Sequence, residues 1–125
     1  MLTIFKCPEC GKLAIFLAAV DGPVHCGDVE MKKLNAGATD GVKEKHVPVV
    51  AIDGNKVSVT VGSVEHPMTP EHLIDAIIVE TSKGVHVKEL TAEDKPFAEF
   101  TLADGETFVT AYENCNLHGL WKAGI

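Results

Sequence analysis

The stretch Lys56-Val-Ser-Val-Thr-Val61 alternates polar and apolar residues without a break. A period of two places every second side chain on one face, so this segment is a strand with one buried and one wet side, not a helix. Similar strand-like runs occupy Val47–Ile52, Leu73–Glu80, Val85–Leu90, Phe97–Leu102 and Thr107–Tyr112. Breakers separate them: Asp53-Gly54-Asn55, Ser82-Lys83-Gly84, Glu93-Asp94-Lys95-Pro96 and Ala103-Asp104-Gly105. Short strands with turn residues at this spacing predict a mainly β chain, an antiparallel sandwich or barrel. No stretch carries an apolar stripe over three helical turns, and no internal repeat or low-complexity tract is present.

A sandwich needs a core, and the composition supplies one. The chain has 125 residues, of which 46% are hydrophobic and 23% charged, with mean hydropathy +0.13. That balance excludes a disordered chain. Eighteen acidic against eleven basic residues give a net charge of −7, which argues against a nucleic-acid partner, since phosphate binding needs a basic face. The longest apolar run, Leu13–Val20, is far short of the ~20 residues that span a bilayer. The amino-terminal residues lack the pattern of a secretory signal. The expectation is a cytoplasmic protein with no membrane partner.

The first 35 residues differ from the rest. They hold Cys7, Cys10 and Cys26, three of the four cysteines, and run into the loop-like stretch Asn35–Gly41. A Cys-Pro-Glu-Cys-Gly turn is followed by Leu13-Ala-Ile-Phe-Leu17, one strand of a small knuckle. A piece this short usually needs a metal, a disulfide or a partner to fold. In a reducing compartment clustered cysteines serve more often as metal ligands or redox groups than as disulfides. The boundaries are therefore a knuckle over 1–35 and a β domain over 36–125.

Chemistry-bearing residues collect at strand ends and turns. His46 lies in Lys43-Glu-Lys-His-Val-Pro48, His66 in Val64-Glu-His-Pro-Met68, and His72 in Thr69-Pro-Glu-His-Leu73. Cys115 and His118 form Cys-Asn-Leu-His on a tight loop after the last strand, a spacing that lets thiolate and imidazole face one ion. Spacing alone leaves a surface histidine or a buried structural cysteine as a full alternative.

Taken together, Lys43–Val49, Val61–Met68, Glu71-His72 and Cys115–Lys122 resemble the desulfoferrodoxin/neelaredoxin family of superoxide reductases. The opening Phe5-Lys-Cys-Pro-Glu-Cys-Gly11 is similar to the small desulforedoxin-like (rubredoxin-like) domain of its two-domain members. The resemblance spans nearly the whole chain, with the pieces in order. It implies an immunoglobulin-like β-sandwich of seven strands for the main domain. It also implies one mononuclear Fe(II)/Fe(III) ion with His46, His66, His72 and His118 as equatorial imidazoles and Cys115 as axial thiolate, the sixth position being open. Superoxide would be reduced to hydrogen peroxide there, with electrons from a small donor such as rubredoxin, in a homodimer. Lys45 would attract the anion, and Glu44 would occupy the sixth position of the ferric ion and help the product leave. A solvated cluster of loop charges is the alternative for Lys43, Glu44 and Lys45.

Physical chemistry agrees with that assignment. Imidazoles suit iron, and a thiolate opposite the vacant position pushes electron density through the metal. An anionic substrate visiting a chain of net charge −7 needs local positive potential, which raises association rates and weakens with salt. Asn116 follows the cysteine, which brings its backbone N–H within reach of the sulfur, and Leu117 does the same or simply packs. His86 reads as structural and Trp121 as core or interface.

The amino terminus departs from the family pattern. Members with two iron centres carry a C-x2-C turn and then an adjacent Cys-Cys pair. Here His25-Cys26-Gly27 stands at the pair; aligned on Gly22 and Met31, Gly27 replaces the second cysteine, so a four-thiolate site cannot form. Three readings stay open: an empty site, which is favoured; a Cys3His site of Cys7, Cys10, Cys26 and His25 holding zinc or iron; or a Cys7–Cys10 disulfide. The rivals to a reductase are a non-catalytic electron-transfer module, which needs a blocked sixth position, and a dismutase, which returns half of its superoxide as dioxygen.

Overall fold

The computed structural model describes residues 2–37, 41 and 43–124, so residues 38–40 of the loop-like stretch lie outside it. The chain divides into two compact units, Met1–Asn35 and Ala36–Ile125.

In the first unit, β1 (Thr3–Lys6) pairs with β2 (Leu13–Phe16) and β5 (Lys32–Lys33) in a three-stranded sheet of order β2-β1-β5. The strands β3 (His25–Cys26) and β4 (Val29–Glu30) form a separate hairpin. Phe5, Cys7 and Met31 make a small core, against which Phe16, Val24 and Cys26 pack. Phe5 and Phe16 meet edge to face, with centroids 5.6 Å apart.

In the second unit, a single-turn α1 (Lys43–His46) leads into β6 (Pro48–Asp53), β7 (Lys56–Val61), β8 (Ile74–Thr81), β9 (Val85–Glu89), β10 (Phe97–Thr101), β11 (Phe108–Cys115) and β12 (Gly119–Gly124). These seven strands form two antiparallel sheets of order β10-β7-β6 and β12-β11-β8-β9. The expected mainly β, antiparallel sandwich is what the chain forms. Val57, Val59 and Val61 project from β7 into the core and meet Ile77 and Val79 of β8 and Ala111 of β11. The alternation of Lys56–Val61 thus becomes one fully buried face, with Ser58 on the other side bonded to Glu99. Full burial of each valine stabilises the fold by about 1.5–3 kcal/mol.

Two differences from the sequence reading matter for the site. The run Thr107–Tyr112 continues to Cys115, and a seventh strand, β12, returns beside it. Cys115 is therefore the last residue of β11 and not part of a loop beyond it. Its pairing with β8 skips Asp75, because Asn114 faces Ala76 while Cys115 faces Ile74. A bulge of this kind re-aims the side chains beyond it.

Candidate metal centre

His46, His66, His72, His118 and Cys115 come together with their ligand atoms all within 4.8 Å of one another. They arrive from three pieces of backbone: α1, the connection from β7 to β8, and the end of β11 with the turn after it. His46 ends α1, and α1 is held by β7's exit: the N–H of Val64 donates to the Glu44 carbonyl at 2.9 Å, and the N–H of Gly62 to the Val47 carbonyl at 3.2 Å. Gly62 has φ +82°, and a Cβ there would stand 2.5 Å from the Val64 oxygen and 2.7 Å from the Glu44 oxygen. Only glycine lets the two segments approach so closely.

His66 sits in the loop after β7. Its Nδ1–H donates to the Pro67 carbonyl at 2.7 Å, which leaves Nε2 as the free lone pair. Burial, reinforced by the three neighbouring imidazoles, pulls its pKa down to about 4. Such a ring is neutral at neutral pH, the form that binds metal. His72 is pulled down as well, first by burial and then by the charges of His118 and Lys45. Its Nε2 is buried with no hydrogen-bond partner among the described residues.

Asn116 positions the His72 segment. Its N–H donates to the Leu73 carbonyl at 3.1 Å, its Oδ1 accepts from the Leu73 N–H at 3.0 Å, and its Nδ2 donates to the Glu71 carbonyl at 3.0 Å. The backbone N–H of Asn116 thus serves Leu73. The N–H groups of Leu117 and His118 are the ones that lower the Cys115 pKa. Burial outweighs them and, with Glu113 and Asp75 adding, raises the thiol. Glu113 itself is fully buried, and burial together with Asp75 pushes its carboxyl up to about 9.

The four rings form a cycle. Neighbouring pairs His46/His66, His66/His72, His72/His118 and His118/His46 have centroids 4.7–5.1 Å apart and near-perpendicular planes. They close a cycle in which His46 lies across from His72 and His66 across from His118. Cys115 Sγ lies 3.4 Å from His66 Nε2 and 3.8 Å from His118 Nδ1, two ligands on opposite corners, as an axial donor does. His46 Nε2 is 3.2 Å from both His66 Nε2 and His118 Nδ1. Nitrogens at right angles on an ion with ~2.1 Å bonds would be about 3.0 Å apart. The five donors fit a metal, and their number does not suit the closed tetrahedron of structural zinc. Imidazoles with a thiolate suit iron. Among the described residues no sixth His, Cys, Asp or Glu atom joins the group.

Lys45 and Glu44 flank the cluster and do not join it. Glu44 is exposed and Lys45 half-buried. Lys45, Glu65, His66, Asp94 and Lys95 line a cleft of about 460 Å³, so one imidazole of the cluster borders open space beside a lysine. Lys95 was not singled out in the sequence because it stands in an ordinary polar breaker, Glu93-Asp-Lys-Pro96. Trp121, expected only as core or interface, stacks on His46 at 5.1 Å and 24°, and its Nε1 donates to the His118 carbonyl at 3.0 Å. The signal was its place three residues after His118, which sets it on β12 facing the ligand loop. His86 bonds Glu106 at 3.0 Å, away from the cluster, in keeping with a structural role.

The first unit brings Cys7, Cys10 and Cys26 together, again within 4.8 Å. His25 is exposed and outside this group, because it precedes Cys26 on β3 and adjacent strand residues point to opposite faces. Cys7 accepts from the Cys10 N–H, which lowers its thiol pKa, and Cys26 is raised by sharing hydrogen bonds with Cys10 and Cys7.

Known proteins resemble this chain. The sequence model of the Desulfoferrodoxin family matches residues 38–124. A desulfoferrodoxin homolog from Archaeoglobus fulgidus is 43% identical over 124 residues, covering 99% of this chain and 98% of that one. The superoxide reductase of Treponema pallidum superposes with a TM-score of 0.87 at 40% identity, over 98% of both chains. A superoxide reductase (1Fe-SOR) from Giardia intestinalis superposes with a TM-score of 0.58 at 33% identity, over 66% of this chain and 98% of its own. Full-length similarity and a domain match that spans all five converging donors place this chain in the desulfoferrodoxin family.

Proposed function

We propose that this protein is a superoxide reductase: superoxide takes up one electron and two protons and leaves as hydrogen peroxide. The observation that carries the reading is the closed cycle of four imidazoles joined by Cys115, with no further donor among the described residues. The likeness to solved superoxide reductases over nearly the full chain supports it. His46, His66, His72, His118 and Cys115 would hold one iron, which supplies the electron when bound.

The chain's own residues do the rest. The neutral ring of His66 presents its Nε2 lone pair to the other donors, and the backbone N–H groups of Leu117 and His118 moderate the sulfur. Burial of His46, His66 and Cys115 excludes water from the ligand side. Lys45, whose charge is felt at His72, draws the anion toward the open side, and Lys95 adds to that field from the far wall of the cleft. Glu65 and Asp94 share the rim, so the attraction is local and falls with salt. Glu44, exposed beside Lys45, would help the product leave. Protons come from water.

The electron donor is a small protein of the rubredoxin kind, for which the exposed Leu117, between Asn116 and His118, offers an apolar contact. The setting is cytoplasmic and the assembly a homodimer; among the described residues no helix is long and apolar enough to cross a membrane. The test is metal analysis of protein expressed with iron, beside Cys115→Ala. One iron per chain is expected in the main centre, with a ferric colour that Cys115→Ala abolishes. Protein that takes up no iron, or a Cys115→Ala variant that keeps the colour, contradicts the assignment.

A further inference from the structure

The cysteine cluster of the first unit does not fit the four-thiolate iron site of two-iron family members. Only three sulfurs converge. Gly27, aligned above with the missing cysteine, opens the two-residue turn between Cys26 and Val29 with φ +58°. A turn of that kind takes glycine at its first central position, so no thiolate belongs there.

The three sulfurs are nevertheless arranged for an ion. Cys10 Sγ and Cys26 Sγ lie 3.9 Å apart, against about 3.8 Å for two thiolates sharing a tetrahedral ion with ~2.3 Å bonds. Cys7 is held by its own turn: its N–H donates to the Lys12 carbonyl at 2.9 Å, its carbonyl accepts from Gly11 at 2.9 Å, and its sulfur accepts from the Cys10 N–H. All three are free thiols. Burial is graded: Cys7 is 1% exposed, Cys26 half-buried and Cys10 at the surface, so the fourth direction from such an ion leads to solvent. The unit also has a reason to hold a metal, since its core centres on Phe5, Cys7 and Met31, and chains this short are rarely stable on so little apolar burial.

We propose that Cys7, Cys10 and Cys26 bind one thiophilic d10 cation of the zinc class through three thiolates, with water or another external ligand in the fourth position. Three sulfurs select soft ions over oxygen-seeking ones. His25 takes no part.

The test uses the full-length, iron-loaded, reduced protein titrated with Zn(II) and followed by X-ray absorption at the zinc edge, which the iron does not disturb. The expected result is saturation at one zinc per chain with three sulfur neighbours and one oxygen, unchanged in His25→Ala. Cys26→Ser should lose one sulfur and bind more weakly, while the iron content stays constant. Absence of stoichiometric zinc, two or fewer sulfurs, or imidazole scattering that His25→Ala removes would each overturn the three-thiolate site.

Discussion

Asn116 and Leu73 bond each other twice: the N–H of Asn116 donates to the Leu73 carbonyl at 3.1 Å, and the N–H of Leu73 donates to Asn116 Oδ1 at 3.0 Å. This reciprocal pair joins the residue after Cys115 to the residue after His72. It ties Cys115 to His72, two of the five converging donors. Groups that orient ligands in this way typically affect metal affinity 10–100-fold. Asn116→Ala is therefore expected to weaken iron binding by about 10-fold or more, measured by competition with a chelator. Asn116→Asp keeps Oδ1 but loses the donor to Glu71, and should fall between the two.

Gly62 is the point where β7 and α1 touch. An added Cβ meets two backbone oxygens that cannot swing aside, and the residue's φ of +82° is itself unfavourable for alanine. Gly62→Ala should cost about 2–3 kcal/mol, in the range of overpacked sites, and should displace His46. Thermal unfolding of the iron-free protein reads the first effect and iron affinity the second. Gly84→Ala, where a Cβ meets nothing within 4 Å, is the control.

Lys45 and Lys95 stand on the same cleft, and the charge of Lys45 is felt at His72. Lys45→Ala should slow association with superoxide at low salt by about 10-fold and flatten its salt dependence, while Lys95→Ala has a smaller effect of the same kind. Pulse radiolysis over a range of ionic strength measures both. Equal rates for Lys45→Ala and the parent protein at low salt would remove the steering role.

Glu106 governs the acid side of stability. It bonds the Thr81 hydroxyl, the Ala103 N–H at 2.9 Å and His86 at 3.0 Å. Those contacts, Thr81 first, hold its carboxyl down to about 2. The folded state thus keeps the carboxylate ionised where the unfolded chain, with an ordinary value of 4.5, takes up a proton. Stability from this group is complete above about pH 4.5 and is lost as pH falls toward 2. Glu106→Gln should lower stability at pH 7 and flatten its fall between pH 4.5 and 2, as followed by urea denaturation.

The sandwich was legible because its strands carry period-two patterns or valine-rich runs bounded by glycine, proline and aspartate. Strand β12 was not: Gly119-Leu-Trp-Lys-Ala-Gly124 begins and ends in glycine and has no alternation strong enough to register. Extending β11 to Cys115 was hidden by Glu113 and Asn114, polar residues that turn out to be fully buried. The five donors were identified by resemblance, since x2 spacing alone could join only Cys115 to His118. Their square arrangement depends on a glycine contact at Gly62 and on the Asn116 clamp, both of which are tertiary. Lys95 carries no local signal that separates it from any breaker lysine, and Trp121 carries only its place three residues after His118.

The central claim is that superoxide is reduced and not dismuted. Anaerobic ferrous protein, given a known amount of superoxide below one equivalent, should yield one hydrogen peroxide and one ferric ion for each superoxide consumed, with no dioxygen released. Release of half the superoxide as dioxygen, with the iron returned to its starting state, would contradict the account.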